Sequence, residues 1–136
     1  MPWPRRPRET EGESGRESRC RTVLSTLREA LPGIKAVIIL GPDGDLRDYA
    51  ATDPALDASV LASEYATLLR IGERTSRDTG MGEVREHILI SASSMILVHH
   101  LSNGRFAIFV CAPDEHLGRL RYELTRSLLY STLSNL

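Results

Sequence analysis

The four histidines are the side chains of this sequence that most resemble metal ligands. His99 and His100 are adjacent in a segment whose composition predicts a strand, where neighbouring side chains point to opposite faces of the sheet. Two imidazoles that point apart cannot hold one ion, and neither His87 nor His116 stands at a zinc-ligand spacing from them. The histidines therefore predict no metal site, and they leave a pH-sensitive contact at His99 or His100 as their remaining chemistry.

The glycine-rich and cysteine-containing segments do not predict catalysis either. Gly41-Pro42-Asp43-Gly44 lacks the Gly-Lys-Ser/Thr ending of a phosphate-binding loop, and it precedes a predicted strand rather than a helix. Gly80-Met81-Gly82 lacks a third glycine. Cys20 and Cys111 have no base near them in the sequence, so we expect two free thiols. Because no set of residues fills the roles of an active site, we predict a protein that is not an enzyme and has no cofactor.

Composition is that of an ordinary globular domain. The chain has 136 residues, 26% of them charged, and a formal net charge of −1, so no overall field favours nucleic acid or an anionic membrane. It contains no apolar run of the roughly 18 residues that a membrane span needs. Residues 1–16 are rich in Pro, Arg, Glu and Gly and lack the apolar core of a secretory signal, which predicts a disordered tail. We expect one domain over residues 17–136, in the cytoplasm.

Apolar periodicity predicts the element order α-β-β-α-β-β-β-α after this tail. The helices are expected over 17–31, 58–76 and 115–133, with Asp57 and Asp114 as N-caps, and the strands over 34–40, 45–51, 83–91 and two parts of 95–112. Five strands in this order predict one antiparallel sheet, with the first and last helices on one face and the middle helix on the other.

The last two strands flank Asn103-Gly104, the strongest short-range hairpin signal in the chain. If these two residues form the loop, Leu101 lies opposite Phe106 and Val98 lies opposite Phe109. Both faces of the hairpin are then apolar, which predicts central strands covered by helices on both sides.

Two elements carry more apolar surface than one protomer needs. The middle helix has apolar residues on two adjacent faces: Leu61, Tyr65, Leu68 and Gly72 on one, and Ala62, Ala66 and Leu69 beside it. A helix that packs only on a sheet needs about 100° of apolar surface, so the extra width suggests a subunit interface. The strand predicted over 83–91 would otherwise be an exposed apolar edge. Arg70 and Arg74 either form a solvated face that complements the helix dipole or dock an acidic partner.

Several local marks, in order, resemble the roadblock family of the dynein light-chain type. They are Leu31-Pro32-Gly33-Ile34 before an apolar strand, Pro42-Asp43-Gly44, the long Ala/Leu helix from Asp57, Gly80-Met81-Gly82 before a strand, and Leu117-Gly118-x-x-Arg121 at the start of the last helix. The resemblance implies an α/β sandwich of the α+β class, profilin-like in topology, with sheet order 2-1-5-4-3. It also implies dimers in which the third strands pair edge to edge and the middle helices pack together.

In function, the resemblance implies a homodimeric adaptor without catalytic machinery that binds and regulates a Ras-like small GTPase, as bacterial members of this type do. We expect the dimer interface at Glu83, Arg85, His87, Leu89, Tyr65 and Leu69, and the partner-binding residues at Arg70 and Arg74. Two alternatives stay open: a PAS- or profilin-like module that senses a small ligand in a polar pocket between sheet and helix, or a purely structural subunit of a larger complex.

Overall fold

The computed structural model describes residues 18–127 and 129–134, so the tail predicted over residues 1–16 lies outside the described residues. The elements are α1 (Arg19–Ala30), β1 (Ile34–Leu40), β2 (Leu46–Ala51), α2 (Ala58–Asp78), β3 (Glu86–Ile90), β4 (Met95–His100), β5 (Phe106–Cys111), α3 (Leu117–Arg126) and α4 (Leu129–Ser134). The predicted element order is confirmed, except that the last helix is divided into two.

One five-stranded sheet forms the centre of the molecule, in the order β2-β1-β5-β4-β3. Every pair of neighbouring strands is antiparallel. The predicted order 2-1-5-4-3 is therefore confirmed, and β2 and β3 are the two edge strands. Each of the three inner strands is almost entirely buried, which explains why their sequences are continuous apolar runs.

Two apolar cores lie on opposite faces of this sheet. α1, α3 and α4 cover one face, where Leu27, Leu97, Phe109, Leu120 and Leu133 pack in a single cluster. α2 alone covers the other face, where Ala62, Ala66, Leu69, Ile108 and Val110 belong to the second cluster. The three layers thus follow from inner strands that are apolar on both faces, as expected for an α+β sandwich.

The register predicted for the β4–β5 hairpin is wrong by one residue. His100, not Leu101, lies opposite Phe106, so the loop has three residues rather than two. The Leu101 N–H donates to the Arg105 carbonyl at 2.8 Å, and Gly104 has a φ of 81°. These features are typical of a three-residue hairpin with a left-handed glycine before the second strand. The correction changes which residues share a face, so Leu97 packs with Phe109 and not with Ile108.

Three other boundaries differ from the prediction. The N-cap of α3 is His116 rather than Asp114. The Glu115 carboxylate, just before α3, accepts the Gly33 N–H at 2.9 Å. α3 ends at Arg126, and α4 then places Leu129 and Leu133 in the core that α3 already covers. β3 begins only at Glu86, so residues 83–85 precede the strand. The predicted cap at Asp57 is confirmed, because its carboxylate accepts the Val60 N–H at 3.1 Å.

Candidate interaction surface

α2 presents an apolar stripe to solvent in addition to the face that it buries. Its buried residues are small ones together with Leu69, namely Ala58, Ala62, Ala66 and Leu69. Val60, Leu68 and Ile71 are exposed by 40%, 40% and 57%. At about 100° per residue these three fall within about 80° of arc, so they form one stripe rather than scattered exposures.

The edge strand β3 is the second source of exposed apolar surface. Ile88, Leu89 and Ile90 are exposed by 42%, 43% and 68%, and the strand pairs only with β4. Its other edge therefore offers backbone N–H and carbonyl groups next to aliphatic side chains. Such an edge is a template for another strand unless something covers it.

The stripe and the edge adjoin each other on one side of the molecule. A Cβ added at Gly72, the residue after Ile71, would lie 2.3 Å from Cε1 of His87 on β3. The absent side chain at Gly72 therefore lets α2 approach β3 closely. We call the residues Val60, Leu68 and Ile71 of α2 together with Ile88, Leu89 and Ile90 of β3 the β3–α2 surface.

A pair of imidazoles lies beneath this surface, between the sheet and α2. The rings of His87 and His100 are nearly parallel, with centroids 6.4 Å apart, and His100 also packs edge-on against Phe106 at 4.7 Å. Neither Nε2 atom has a hydrogen-bond partner among the described residues, although Glu73 Oε2 is 3.7 Å from His100 Nε2. Burial lowers the pKa of both histidines from 6.5, and the Glu73 carboxylate opposes this effect.

On the opposite face, a carboxylate ties β3 to the helix layer. Glu86 accepts from Arg121 at 2.6 Å with one oxygen and lies 2.9 Å from His99 Nδ1 with the other. The His99 ring stacks on Tyr130 of α4 with a centroid distance of 4.0 Å. Burial, with a smaller contribution from Glu86, raises the pKa of the Tyr130 hydroxyl. The side chains of His99 and His100 thus point to opposite faces, as predicted, and β3 is held in place although it is an edge strand.

The two arginines predicted to bind a partner lie at different positions around α2. Arg70 is nearly opposite Leu68 around the helix axis, because two residues correspond to about 200°. Its Nη1 would be 3.9 Å from a Cβ at Gly44, which places Arg70 beside the β1–β2 turn. Arg74 is exposed, lies 3.8 Å from Asp78 one helical turn further, and follows Ile71 by three residues. Residues three apart are neighbours on a helix surface, so Arg74 borders the apolar stripe, whereas Arg70 is separate from it.

The predicted interface residues occupy mixed positions. Leu89 is part of the β3–α2 surface, and Tyr65 and His87 lie partly buried at its border. Glu83 and Arg85 are exposed in the segment before β3. Leu69 is the exception, since it is 2% exposed and packs against the sheet, so it cannot contact a partner.

Five residues of the β3–α2 surface are missing from the predicted interface residues: Val60, Leu68, Ile71, Ile88 and Ile90. On a helical wheel, Val60 and Ile71 lie nearly opposite the buried alanines of α2. The spacing of these residues in the sequence therefore indicates that Val60 and Ile71 face away from the core.

The potential metal ligands and the two thiols in the described part of the chain bear on whether it holds a metal or nucleophile site. Among the described residues, no three His, Cys, Asp or Glu side chains come close enough together to hold a metal ion. Cys20 and Cys111 are fully buried and not joined in a disulfide, and burial raises the pKa of the Cys111 thiol to about 12. Within residues 18–127 and 129–134, no helix has the length and apolar character to cross a membrane.

No family model matches the sequence, and no curated protein does so either. Solved structures do match. The Roadblock/LC7 domain from Streptomyces avermitilis is 20% identical with a TM-score of 0.70, over 82% of this chain and 92% of that domain. MglB from Myxococcus xanthus is 15% identical with a TM-score of 0.70, over 84% of this chain and 93% of its own. MglC from the same organism is 26% identical with a TM-score of 0.55, over 85% of this chain and 98% of its own. Together with the sheet order, these similarities show that the chain has the Roadblock/LC7 domain fold.

Proposed function

We propose that this chain is a non-enzymatic adaptor that forms a homodimer through the β3–α2 surface and binds a Ras-like small GTPase, whose nucleotide cycle or localisation it regulates. The observation that carries the proposal is the contiguity of an unpaired strand edge and an exposed apolar helix stripe. The remainder of the proposal rests on the shared fold and on the roadblock resemblance of the sequence.

The dimer follows from what the β3–α2 surface leaves exposed. Two copies related by a two-fold axis can pair their β3 edges antiparallel, which satisfies the outer backbone groups and extends the sheet across both protomers. The same axis brings the α2 stripes towards each other, so that Val60, Leu68 and Ile71 leave water together. Tyr65 and His87, at the border of the surface, are expected to become more buried in the dimer.

Size-exclusion chromatography with light scattering tests this dimer. We expect twice the protomer mass for the unchanged chain, and the mass of one protomer for Leu68→Glu combined with Ile71→Glu, because burying two carboxylates in an apolar contact is strongly unfavourable. Tyr122→Glu is the matched control, since Tyr122 is a large exposed side chain on α3, on the face of the sheet opposite to α2. A monomer for the unchanged chain, or equal effects of the two variants, would remove the dimer from the proposal.

The GTPase contact is assigned to the flank of α2 that the dimer leaves open. Arg70 projects from this flank near the turn between β1 and β2, and Arg74 lies between this flank and the apolar stripe. Guanidinium groups bind carboxylates with directed hydrogen bonds. No arginine of the chain stands in a motif for insertion into a foreign active site. We therefore expect any acceleration of hydrolysis to act by positioning the GTPase's own switch residues.

Pull-down of small GTPases from the same genome, loaded with GDP or with a GTP analogue, tests this contact. We expect nucleotide-dependent binding that Arg70→Glu and Arg74→Glu weaken about 10-fold or more and that Arg119→Glu on α3 leaves unchanged. Binding in neither nucleotide state would contradict the GTPase assignment, whereas the dimer would be unaffected by that result. Equal weakening by all three variants would move the contact elsewhere on the molecule.

The ligand-sensor alternative requires a polar pocket between the sheet and a helix. Apolar side chains from two clusters instead pack the inner strands against the helices on both faces, and the charged groove between α1 and β2 lies at an edge strand. This packing favours the adaptor over the sensor.

A further inference from the structure

A groove of about 350 Å³ lies between α1 and β2, at the edge of the sheet remote from β3. One wall is a stripe of α1 and the other is the end of β2 with the turn after it; the lining residues are Arg21, Leu24, Ser25, Arg28, Tyr49, Ala50, Ala51, Asp53 and Pro54. The floor is apolar and buried at Leu24 and Ala50, whereas the rim carries two guanidinium groups and a carboxylate. A groove with an apolar floor and a charged rim suits an extended peptide.

The described chain begins beside this groove. Ser18 caps α1, and its Oγ lies 2.7 and 2.9 Å from the two carboxylate oxygens of Asp48 on β2. The Cys20 N–H donates to the same carboxylate at 3.1 Å. Asp48 directly precedes Tyr49 of the groove wall, so these bonds fix the point at which the N-terminal segment joins the domain.

The N-terminal segment is long enough to follow the groove from this point. Seventeen residues precede Ser18, and fifteen peptide units separate Trp3 from it. At about 3.3 Å per residue these span up to ~50 Å, whereas the 12 residues of α1 are only ~18 Å long. Trp3 can therefore reach any part of the groove.

We propose that residues 1–17 dock in the α1–β2 groove of their own chain, with Trp3 as the anchor. Trp3 is the only tryptophan of the protein and the only aromatic residue of the segment. Its indole matches the apolar floor at Leu24 and Ala50, and the guanidinium groups of the rim can lie against an aromatic face. Pro2 and Pro4 restrict the backbone on both sides of Trp3, which lowers the entropy that docking costs.

The charges of the segment complement those of the groove. Its carboxylates lie between Trp3 and the domain, on the stretch that must pass α1; they are Glu9, Glu11, Glu13 and Glu17. The α1 wall carries Arg21 and Arg28. The segment's Arg5 and Arg6 follow Trp3, and the strand wall carries Asp53. A docked segment also covers the outer edge of β2.

Tryptophan fluorescence of the full chain tests the proposal directly, because Trp3 is the only indole. We expect an emission maximum at shorter wavelength, and weaker quenching by acrylamide, than for the isolated peptide of residues 1–17. Ser25→Phe fills the groove from an exposed position of α1 and is expected to return both signals to those of the peptide. Ser63→Phe, at an exposed position of α2, is the matched control and is expected to change neither.

Three results would overturn the proposal. The first is an emission maximum equal to that of the peptide, since Trp3 is then in water. The second is a shift that persists in Ser25→Phe while circular dichroism shows the variant folded, since Trp3 then docks elsewhere. The third is a shift that disappears on dilution, because the groove is then supplied by a second copy. Should Ser25→Phe fail to fold, Arg28→Glu at the exposed rim is used instead, and an unchanged emission in that variant counts against the proposal.

Discussion

The contact between Gly44 and Ala66 offers the sharpest test of how α2 is seated on the sheet. Gly44 closes the β1–β2 turn with a φ of 84°, and a Cβ at this position would lie 2.4 Å from the Ala66 Cβ. Gly44→Ala thus introduces two separate penalties. A left-handed alanine costs about 1 kcal/mol, and forcing a methyl group against a packed helix costs about 2 kcal/mol more. We expect a loss of about 3 kcal/mol in the free energy of unfolding.

Gly80→Ala is the matched control for the backbone term. Gly80 has a φ of 75°, but nothing lies within 4 Å of the position of its Cβ. This variant is expected to lose only about 1 kcal/mol, so the difference of about 2 kcal/mol isolates the contact with Ala66. Urea denaturation followed by circular dichroism measures both values, at one protein concentration because self-association adds to stability.

A double-mutant cycle provides the decisive result. Ala66→Gly alone is expected to cost about 1 kcal/mol, since glycine is a poor residue in a helix interior. In combination with Gly44→Ala it removes the clash, so the double variant should be more stable than the sum of the single effects by about 2 kcal/mol. Equal losses for Gly44→Ala and Gly80→Ala, or additive effects in the cycle, would show that α2 does not press on this turn.

Three further outcomes follow from the described contacts. The pKa of His87 and of His100 is lowered from 6.5 in the folded chain, so the folded state loses stability relative to the unfolded state as the pH falls below 6.5. The thermal unfolding temperature of the double variant His87→Gln with His100→Gln should depend less on pH between 7.5 and 5.5 than that of the unchanged chain, and an equal dependence would exclude this origin. Asp48→Ala removes the hydrogen bonds from Ser18 and Cys20, and we expect urea denaturation to show a loss of about 1–3 kcal/mol in the free energy of unfolding. Asp53→Ala, outside this cluster, should lose less, and the reverse order would contradict the role of Asp48. Cys111 is buried and its thiol pKa is raised to about 12, so a thiol reagent at pH 8 should label Cys111 only as fast as the folded chain opens. Labelling as fast as that of free cysteine would refute the burial.

Sequence patterns predicted the elements and the sheet order because apolar periodicity reports directly on which faces are buried. The runs in β1, β4 and β5 are apolar at nearly every position, and only central strands covered on both faces have that composition. The hairpin register was missed because Asn103-Gly104 fits both a two-residue loop and the last two positions of a three-residue loop. The choice depends on the backbone of Ser102 and Gly104, which hydrophobicity does not encode.

The candidate surface was only partly predictable for a related reason. An apolar residue in an amphipathic helix is buried in its own domain or exposed for a partner, and the pattern alone does not separate these outcomes. Leu69 and Leu68 are neighbours in the sequence, yet one is buried and the other is 40% exposed. The wide apolar arc of α2 indicated that some residues face outward, but identifying them required the position of the helix on the sheet.

The two edges of the sheet differ in a way that limits how far copies of this chain can associate. In β2, Ile39 lies opposite Asp48 and Leu40 lies opposite Leu46, so Arg47 is an extra residue that distorts the edge. Charged residues at this edge and the bulge make β2 a poor template, whereas β3 is regular and apolar. In the dimer proposed above, the composite sheet would end in a β2 strand on both sides. Pairing through β3 would therefore be self-terminating, and we expect a closed pair instead of a growing filament.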